Sequence, residues 1–287
     1  MLDLIIKPQN RKGQQTLKKV ESRLKERGVP YEVHFTEGKG DARRIASSLT
    51  EEGRCDLVVI GGDGTLNDVL TGMKDPSKCR LGLIPSGTGN DFSVSAGIPA
   101  GEAALPLILD GEARPTDYID FSDGRRSLNI AGMGMDVDIL LRCEKMKGFH
   151  DKSKYFFSLL ASLVKYDGVT LRIEADGEQF EEKLLIAAVC NGKQLGGGIP
   201  LCPAADISDG LMDLVVVTCP KRSKLLGALI KLMQGKVLTL PFTRHIRCER
   251  AAILPKSPAV AQYDGELYQT AAMEATLRKG GLLLYRK

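Results

Sequence analysis

The chain has 287 residues, 43% of them hydrophobic, and a formal net charge of +4. That length accommodates one large or two modest domains, and the mild charge excludes a dedicated nucleic-acid binder, which would concentrate a basic stripe, while remaining compatible with visits to an anionic membrane surface. Seven scattered cysteines without a Cys-x-x-Cys pair argue against a disulfide framework or zinc site, and the three histidines form no metal motif. No apolar run reaches the roughly 18–20 residues of a membrane span, so the expectation is a soluble, cytoplasmic protein.

The opening residues enter a strand, Leu2–Ile6, and do not read as a signal peptide. The turn that follows, Pro8-Gln9-Asn10-Arg11-Lys12-Gly13, reads first as a solvated loop and second as a phosphate-side loop. Leu17, Val20 and Leu24 give residues 14–27 a helical period, ended by Gly28 and Pro30. Tyr31–Phe35 alternates as a second strand, and Asp41 is positioned to cap a helix carrying Ile45 and Leu49. Leu57–Ile60 is a short apolar run, three of its four residues β-branched, and predicts a strand buried on both faces of a parallel sheet. It runs into Gly61-Gly62-Asp63-Gly64-Thr65, then a helix from Leu66 to Met73. Strand, Gly-rich turn and helix N-terminus form a geometry that binds phosphate, the glycines allowing positive φ or close approach. The alternative is a tight turn with Asp63 as a helix cap. A fourth buried strand, Leu81–Ile84, delivers a second such loop, Pro85-Ser86-Gly87-Thr88-Gly89-Asn90-Asp91-Phe92. Two consecutive strands ending this way point to a nucleotide site at the carboxyl edge of an open sheet. A further helix covers residues 101–110.

Beyond Arg114-Pro115 the βα rhythm stops. Strand-like pieces follow at Tyr118–Phe121, Ser127–Gly132, Thr170–Ala175, Lys183–Asn191, Met212–Thr218, Thr243–Leu254, Ala259–Tyr263 and Leu282–Arg286. Two helical insertions lie at about 153–165 and 222–235. The fold class expected is an α/β N-terminal nucleotide domain, residues 1–116, joined to a mostly β, sandwich-like domain, residues 117–287.

Gly61-Gly62-Asp63-Gly64-Thr65 with Asn67, then Gly87-Thr88-Gly89-Asn90-Asp91-Phe92, Asn191-Gly192 with Gly196-Gly197-Gly198, Asp209-Gly210-Leu211 and Asp264-Gly265-Glu266 follow one another in the order of a known family. Over nearly its whole length the chain resembles the diacylglycerol kinase catalytic-domain family, and within it the soluble bacterial lipid kinases. It departs from the family at the first loop, where Lys7-Pro8-Gln9-Asn10-Arg11 stands in place of Asn-Pro-x-Ser-Gly.

The resemblance implies transfer of the γ-phosphate of ATP to a lipid alcohol, with Mg²⁺, in a cleft between the two domains. It makes Thr36, Gly61, Gly62, Asp63, Gly64, Thr65, Leu66, Asn67, Gly87, Thr88 and Asn90 the nucleotide-binding residues. Asp63 would orient Mg²⁺ through water, with Asp91 and Asp120 as secondary candidates. Glu266 would be the proton acceptor and Asp264 its supporting neighbour. A strand through residues 263–267 would put both carboxylates on one face, unless Gly265 bends the chain and separates them. The Asp209 carboxylate and the backbone carbonyls of Asp206 and Leu211 would form a second, structural Mg²⁺ site. A sphingoid base, a soluble alcohol such as NAD, or a nucleotide-sensing role without turnover are the alternatives. Contact with the inner membrane surface would be peripheral. The segments 224–237 and 152–165 read as candidate interfacial helices or as helices packed on the sandwich, and a homodimer stays open.

Overall fold

The computed structural model describes residues 1–7, 11–146 and 151–287, with backbone only at 11 and 151–154. Residues Pro8, Gln9 and Asn10 of the atypical first loop lie outside the described residues. The first half runs β1 (Leu2–Ile6), α1 (Arg11–Glu26), β2 (Tyr31–Phe35), α2 (Asp41–Glu51), β3 (Asp56–Gly61), α3 (Asp63–Gly72), β4 (Arg80–Pro85), α4 (Asp91–Ser95) and α5 (Leu105–Leu109). Its four strands pair in parallel in the order β2-β1-β3-β4. Leu4–Ile6, Leu57–Ile60, Leu81 and Ile84 are buried, as expected of strands covered by helices on both faces. The edge strand β2 is only half-buried.

The second half runs β5 (Ala113–Phe121), β6 (Arg126–Ser127), β7 (Ile130–Gly134), α6 (Met135–Lys145), α7 (Asp151–Lys165), β8 (Val169–Ala175), β9 (Glu178–Cys190), β10 (Met212–Thr218), α8 (Leu225–Met233), β11 (Thr243–Cys248), β12 (Arg250–Pro255), β13 (Ala259–Tyr263), β14 (Glu266–Thr270) and β15 (Met273–Tyr285). It is β-rich and antiparallel around a core that includes Ile173, Val189, Leu214, Ile253, Tyr263 and Leu277. The two halves share one mixed sheet. β15 pairs antiparallel with β5 along its length, and its end pairs in parallel with β4 of the first half, Leu283 and Leu284 opposite Arg80 and Leu81. β5 crosses the expected boundary at 116/117 without a break.

Several local expectations are corrected. The N-cap of α2 is Gly40, in the left-handed region. Asp41 is the first helical residue, and its carboxylate accepts the Glu37 N–H at 2.9 Å. The helix expected at 101–110 is a 3₁₀ turn followed by the short α5. The segment 243–254 is two strands, with Glu249 between them. Residues 263–267 are not one strand. Asp264 (φ 48°) and Gly265 (φ 90°) form a two-residue turn, with Tyr263 paired to Glu266. Positive φ at both central positions is the primed hairpin geometry that Asp-Gly favours.

Candidate active site

The two Gly-rich loops lie against each other. A Cβ placed on Gly87 would sit 2.6 Å from the Gly62 Cα, and one on Gly61 would sit 2.9 Å from the Thr65 Cβ. None of Gly61, Gly62, Gly64, Gly87 and Gly89 has positive φ. Gly62 and Gly87 therefore let backbone meet backbone, Gly61, Gly64 and Gly89 make room for the side chains of Thr65, Glu266 and Asp63, and the left-handed conformation expected of them falls to Asn90, at φ 56°. Asn90 closes its own loop: its Oδ1 accepts the Gly87 N–H at 3.0 Å and its Nδ2 donates to the Gly87 carbonyl at 2.9 Å.

Asp63 holds the loops together. It is the first residue of α3, yet its carboxylate caps a different helix, accepting the N–H groups of Asp91 at 3.0 Å and Phe92 at 3.2 Å at the start of α4. Asp91 is likewise the first residue of its helix, not the N-cap, and it points across to the second half. Its carboxylate accepts from Gln194 Nε2 at 3.0 Å and from the Gly197 N–H at 2.8 Å. Burial pushes its carboxyl upward, the Gly197 bond opposes this, and the charge of Asp63 adds to the rise. Asp120 does not join this group; it pairs with Arg278 at 2.9 Å and Arg126 at 3.5 Å.

The hairpin turn sends its two carboxylates apart. Asp264 is half-buried and turns its carboxylate in beneath β6 and β7, where it accepts from Ser127 Oγ at 2.5 Å, from the N–H groups of Leu128, Asn129 and Ile130 at 3.0–3.1 Å, and from Asn67 Nδ2 at 3.0 Å. Burial pushes this carboxyl up, against the hydrogen bonds of Ser127 and Asn67. The Asp264 carboxylate is thus a brace between α3 and the second half. Glu266 emerges on the other side. Its Oε1 lies 3.2 Å from where a Cβ on Gly64 would be, and its Oε2 pairs with Lys39 Nζ at 2.6 Å.

Two cavities flank the turn. One, about 200 Å³, is lined by Asp63, Thr88, Asp91, Tyr155, Leu195 and Asp264 among others. The second, about 420 Å³, includes Lys7, Thr36, Lys39, Thr65, Asp68 and Glu266 in its wall, with Gly62 and Gly64 at its floor. The expected nucleotide residues therefore divide: Thr36, Gly62, Gly64 and Thr65 share a cavity with Glu266, while Asp63 and Thr88 face the smaller one. Leu66 is core, and Asn67 spends its amide on the Arg126 carbonyl, at 2.6 Å, and on Asp264. Lys39 and Asp68 were not expected. Asp68 stands one helical turn after Gly64 on α3, a spacing that puts both toward Glu266. Burial raises the Asp68 carboxyl, as does the neighbouring charge of Glu266, and Lys39 is raised by its bond to Glu266.

The expected metal residues differ in how well they suit a cation. Asp63 borders a cavity beside a second carboxylate, Asp91, and its oxygens accept backbone N–H groups from Asp91 and Phe92, so an outer-shell contact through water fits. Asp206, Asp209 and Leu211 line neither cavity. Asp209 accepts the Leu211 N–H at 3.0 Å and pairs through its other oxygen with Arg247, and Asp206 accepts from Ser208. The Arg247 guanidinium shares the Asp209 carboxylate, so a Mg²⁺ held there with the backbone carbonyls of Asp206 and Leu211 would compete with it for that oxygen.

The diacylglycerol kinase catalytic domain model matches residues 4–121, and that of the YegS C-terminal NAD kinase beta sandwich-like domain matches residues 129–285. A probable lipid kinase YegS-like of Pseudomonas putida is 31% identical over 264 residues, 91% of this chain and 87% of that protein. Another of that description, from Cronobacter sakazakii, is 37% identical over 203 residues, covering 68% of this chain and 67% of its own. A solved diacylglycerol kinase from Bacillus anthracis shares the fold, with a TM-score of 0.75 at 22% identity, covering 100% of this chain and 96% of its own. The loops at Gly61–Thr65 and Gly87–Phe92 fall within the first match and the Asp264-Gly265-Glu266 turn within the second, and the chain belongs to the diacylglycerol kinase family, in its two-part bacterial lipid kinase form, an enzyme of the ATP-dependent kinase class.

Proposed function

We propose that the protein transfers the γ-phosphate of ATP to a hydroxyl of diacylglycerol or a related lipid, with Glu266 as the base. The observation that carries this reading is the placement of Glu266. It faces the N-terminal turn of α3, in the same cavity as Thr36, Gly62 and Thr65. A carboxylate beside a phosphate cradle is the arrangement an alcohol nucleophile needs, since phosphoryl transfer depends chiefly on positioning and charge neutralisation.

The N–H groups at the start of α3 and the ammonium groups of Lys7 and Lys39 favour the phosphates in the larger cavity. The acceptor hydroxyl gives its proton to Glu266 as its oxygen bonds the γ-phosphorus; the bond from that phosphorus to the bridging oxygen breaks, and ADP leaves with the electron pair. The Lys39 ammonium, now on Glu266, is placed to move onto the phosphates and free the base. Asp63 and Asp91 would hold Mg²⁺ through water, and the ion, when bound, supplies neutralisation of phosphate charge. Tyr155 and Leu195 give the smaller cavity an apolar wall suited to an acyl chain.

The test is transfer of labelled γ-phosphate from ATP into a panel of dispersed lipids, with sphingosine and NAD included, for the native protein and for Glu266→Gln. Label in a glycerolipid, reduced about 10²–10⁴-fold in the variant with ATP affinity kept, is the expected result. Label only in NAD or sphingosine would replace the acceptor, and full activity of the variant would remove Glu266 from the mechanism.

A further inference from the structure

Among the described residues, nine large apolar side chains are exposed, and six of them stand on two helices: Phe156, Phe157 and Val164 on α7 and Leu226, Ile230 and Met233 on α8. Their exposures run from 46% to 67%. The helices are neighbours. Tyr155 and Leu159 of α7 pack with Leu229 of α8 in one buried cluster, joined by Met135 and Ile139 of α6. On α8 only Leu229 is buried. A helix packed on the sandwich in the ordinary way would bury its apolar face, and this one turns much of it to water. Such a concentration on two neighbouring helices marks an interaction surface.

Charge says what the surface fits. Between Asp213 and Glu249 the chain carries seven lysines and arginines and no aspartate or glutamate. Lys221, Arg222, Lys224, Lys231 and Lys236, on and beside α8, are all exposed, as is Lys165 at the end of α7. Apolar side chains ringed by cations are the pattern of a helix that lies in the interface of an anionic bilayer. No described helix is long and apolar enough to cross a membrane, so the contact would be peripheral. The inner side of the same helix cluster reaches the smaller cavity: Leu140, Tyr155 and Leu195 belong to that cluster or pack on it, and they line the cavity together with Asp63 and Asp264.

We infer that the outer faces of α7 and α8 form one docking surface for an anionic phospholipid bilayer, which sets the smaller cavity beside the membrane. The inference rests on the lipid-kinase reading for its purpose but not for its test. The experiment is flotation of the intact protein with vesicles of phosphatidylcholine alone and of phosphatidylcholine with phosphatidylglycerol, for the native chain, for Leu226→Asp/Ile230→Asp and for Lys224→Glu/Lys231→Glu. All four positions are exposed, and matching thermal melts establish that the variants fold. The native protein is expected to float with anionic vesicles and not with neutral ones, less so at high salt, and each double variant to bind about tenfold or more weakly. Activity on a monodisperse short-chain diacylglycerol should be unchanged in both variants while activity on vesicles falls. Equal binding by all three proteins, no binding by the native protein, or concentration-dependent self-association abolished by Leu226→Asp/Ile230→Asp without vesicle binding would overturn the inference, the last by making the face an interface between copies. Failure of phosphate transfer with vesicle binding intact would instead strike the kinase reading.

Discussion

The two cavities on either side of the Asp264-Gly265 turn are both walled by carboxylates, and they use them differently. In the smaller, Asp63, Asp91 and Asp264 have at least two donors each, mostly backbone N–H groups from another element. In the larger, Glu266 has one mobile partner, the ammonium of Lys39, on a side chain that is 72% exposed. Those three carboxylates are fixed in place by their donors; a carboxylate held by a flexible cation can exchange its partner for a proton. The turn thus puts a brace and the proposed base two residues apart and divides them by backbone conformation.

The comparison is broken most severely at the brace. Asp264→Ala leaves the buried donors of Ser127, Asn67 and residues 128–130 without an acceptor. It is expected to cost about 3–5 kcal/mol, read as a lower denaturant midpoint in equilibrium unfolding. A loss as small as that of a surface substitution would show that Asp264 is not structural.

Asp136, buried on the smaller cavity, sharpens the contrast through pH. Burial raises its carboxyl to about 6 from an ordinary 3.8. A carboxyl raised on folding binds its proton more tightly in the native state, so its contribution is full below about pH 4 and is lost as the pH rises toward 6. Stability of Asp136→Asn should lack that decline and exceed the native protein's at pH 7 by roughly 2–3 kcal/mol. Parallel stability–pH curves for the two proteins would contradict this.

Gly87→Ala tests the contact between the loops from which the carboxylates hang. Its Cβ must displace the Gly62 backbone, at an expected cost of about 1–3 kcal/mol in melting experiments and with a raised KM for ATP. An unchanged KM would detach the second loop from the nucleotide. Lys39→Met should matter least to folding. Its ammonium is raised by Glu266, so its contribution is present below about pH 10.5 and lost above it, and exposure limits it to about 0–1 kcal/mol. Turnover, not the melting temperature, is expected to fall; the reverse would make Lys39 another brace.

Much of the first half was legible because Leu57–Ile60 of β3 and Leu81–Ile84 of β4 are short, largely apolar runs leading into Gly-rich turns, the pattern of strands buried on both faces of a parallel sheet. β10 and β13 were legible at their observed bounds. β15 was legible only at its end, because Lys279-Gly280-Gly281 looks like a turn and is instead an irregularity where the pairing with β5 shifts register. Helix α6 and strand β14 were not anticipated; the first begins directly on a strand, and the second is short and half-buried, held mainly by pairing to β13. The motif residues could be listed from the sequence, but not sorted. Whether Asp264 and Glu266 share a face depends on two left-handed residues, Asp264 and Gly265, and what the Asp209 carboxylate meets depends on Arg247, which lies on the distant β11.

The pairing of Leu283 and Leu284 with β4 has a consequence for synthesis. During translation β4 emerges about two hundred residues before its second neighbour. Until then the first half has an open sheet edge, a template for wrong partners in a nascent chain. The first half is therefore expected to reach its final protection from proteolysis only after the last strand leaves the ribosome, and the slow step of folding to be the closure of that distant pair rather than the formation of the Gly-rich loops.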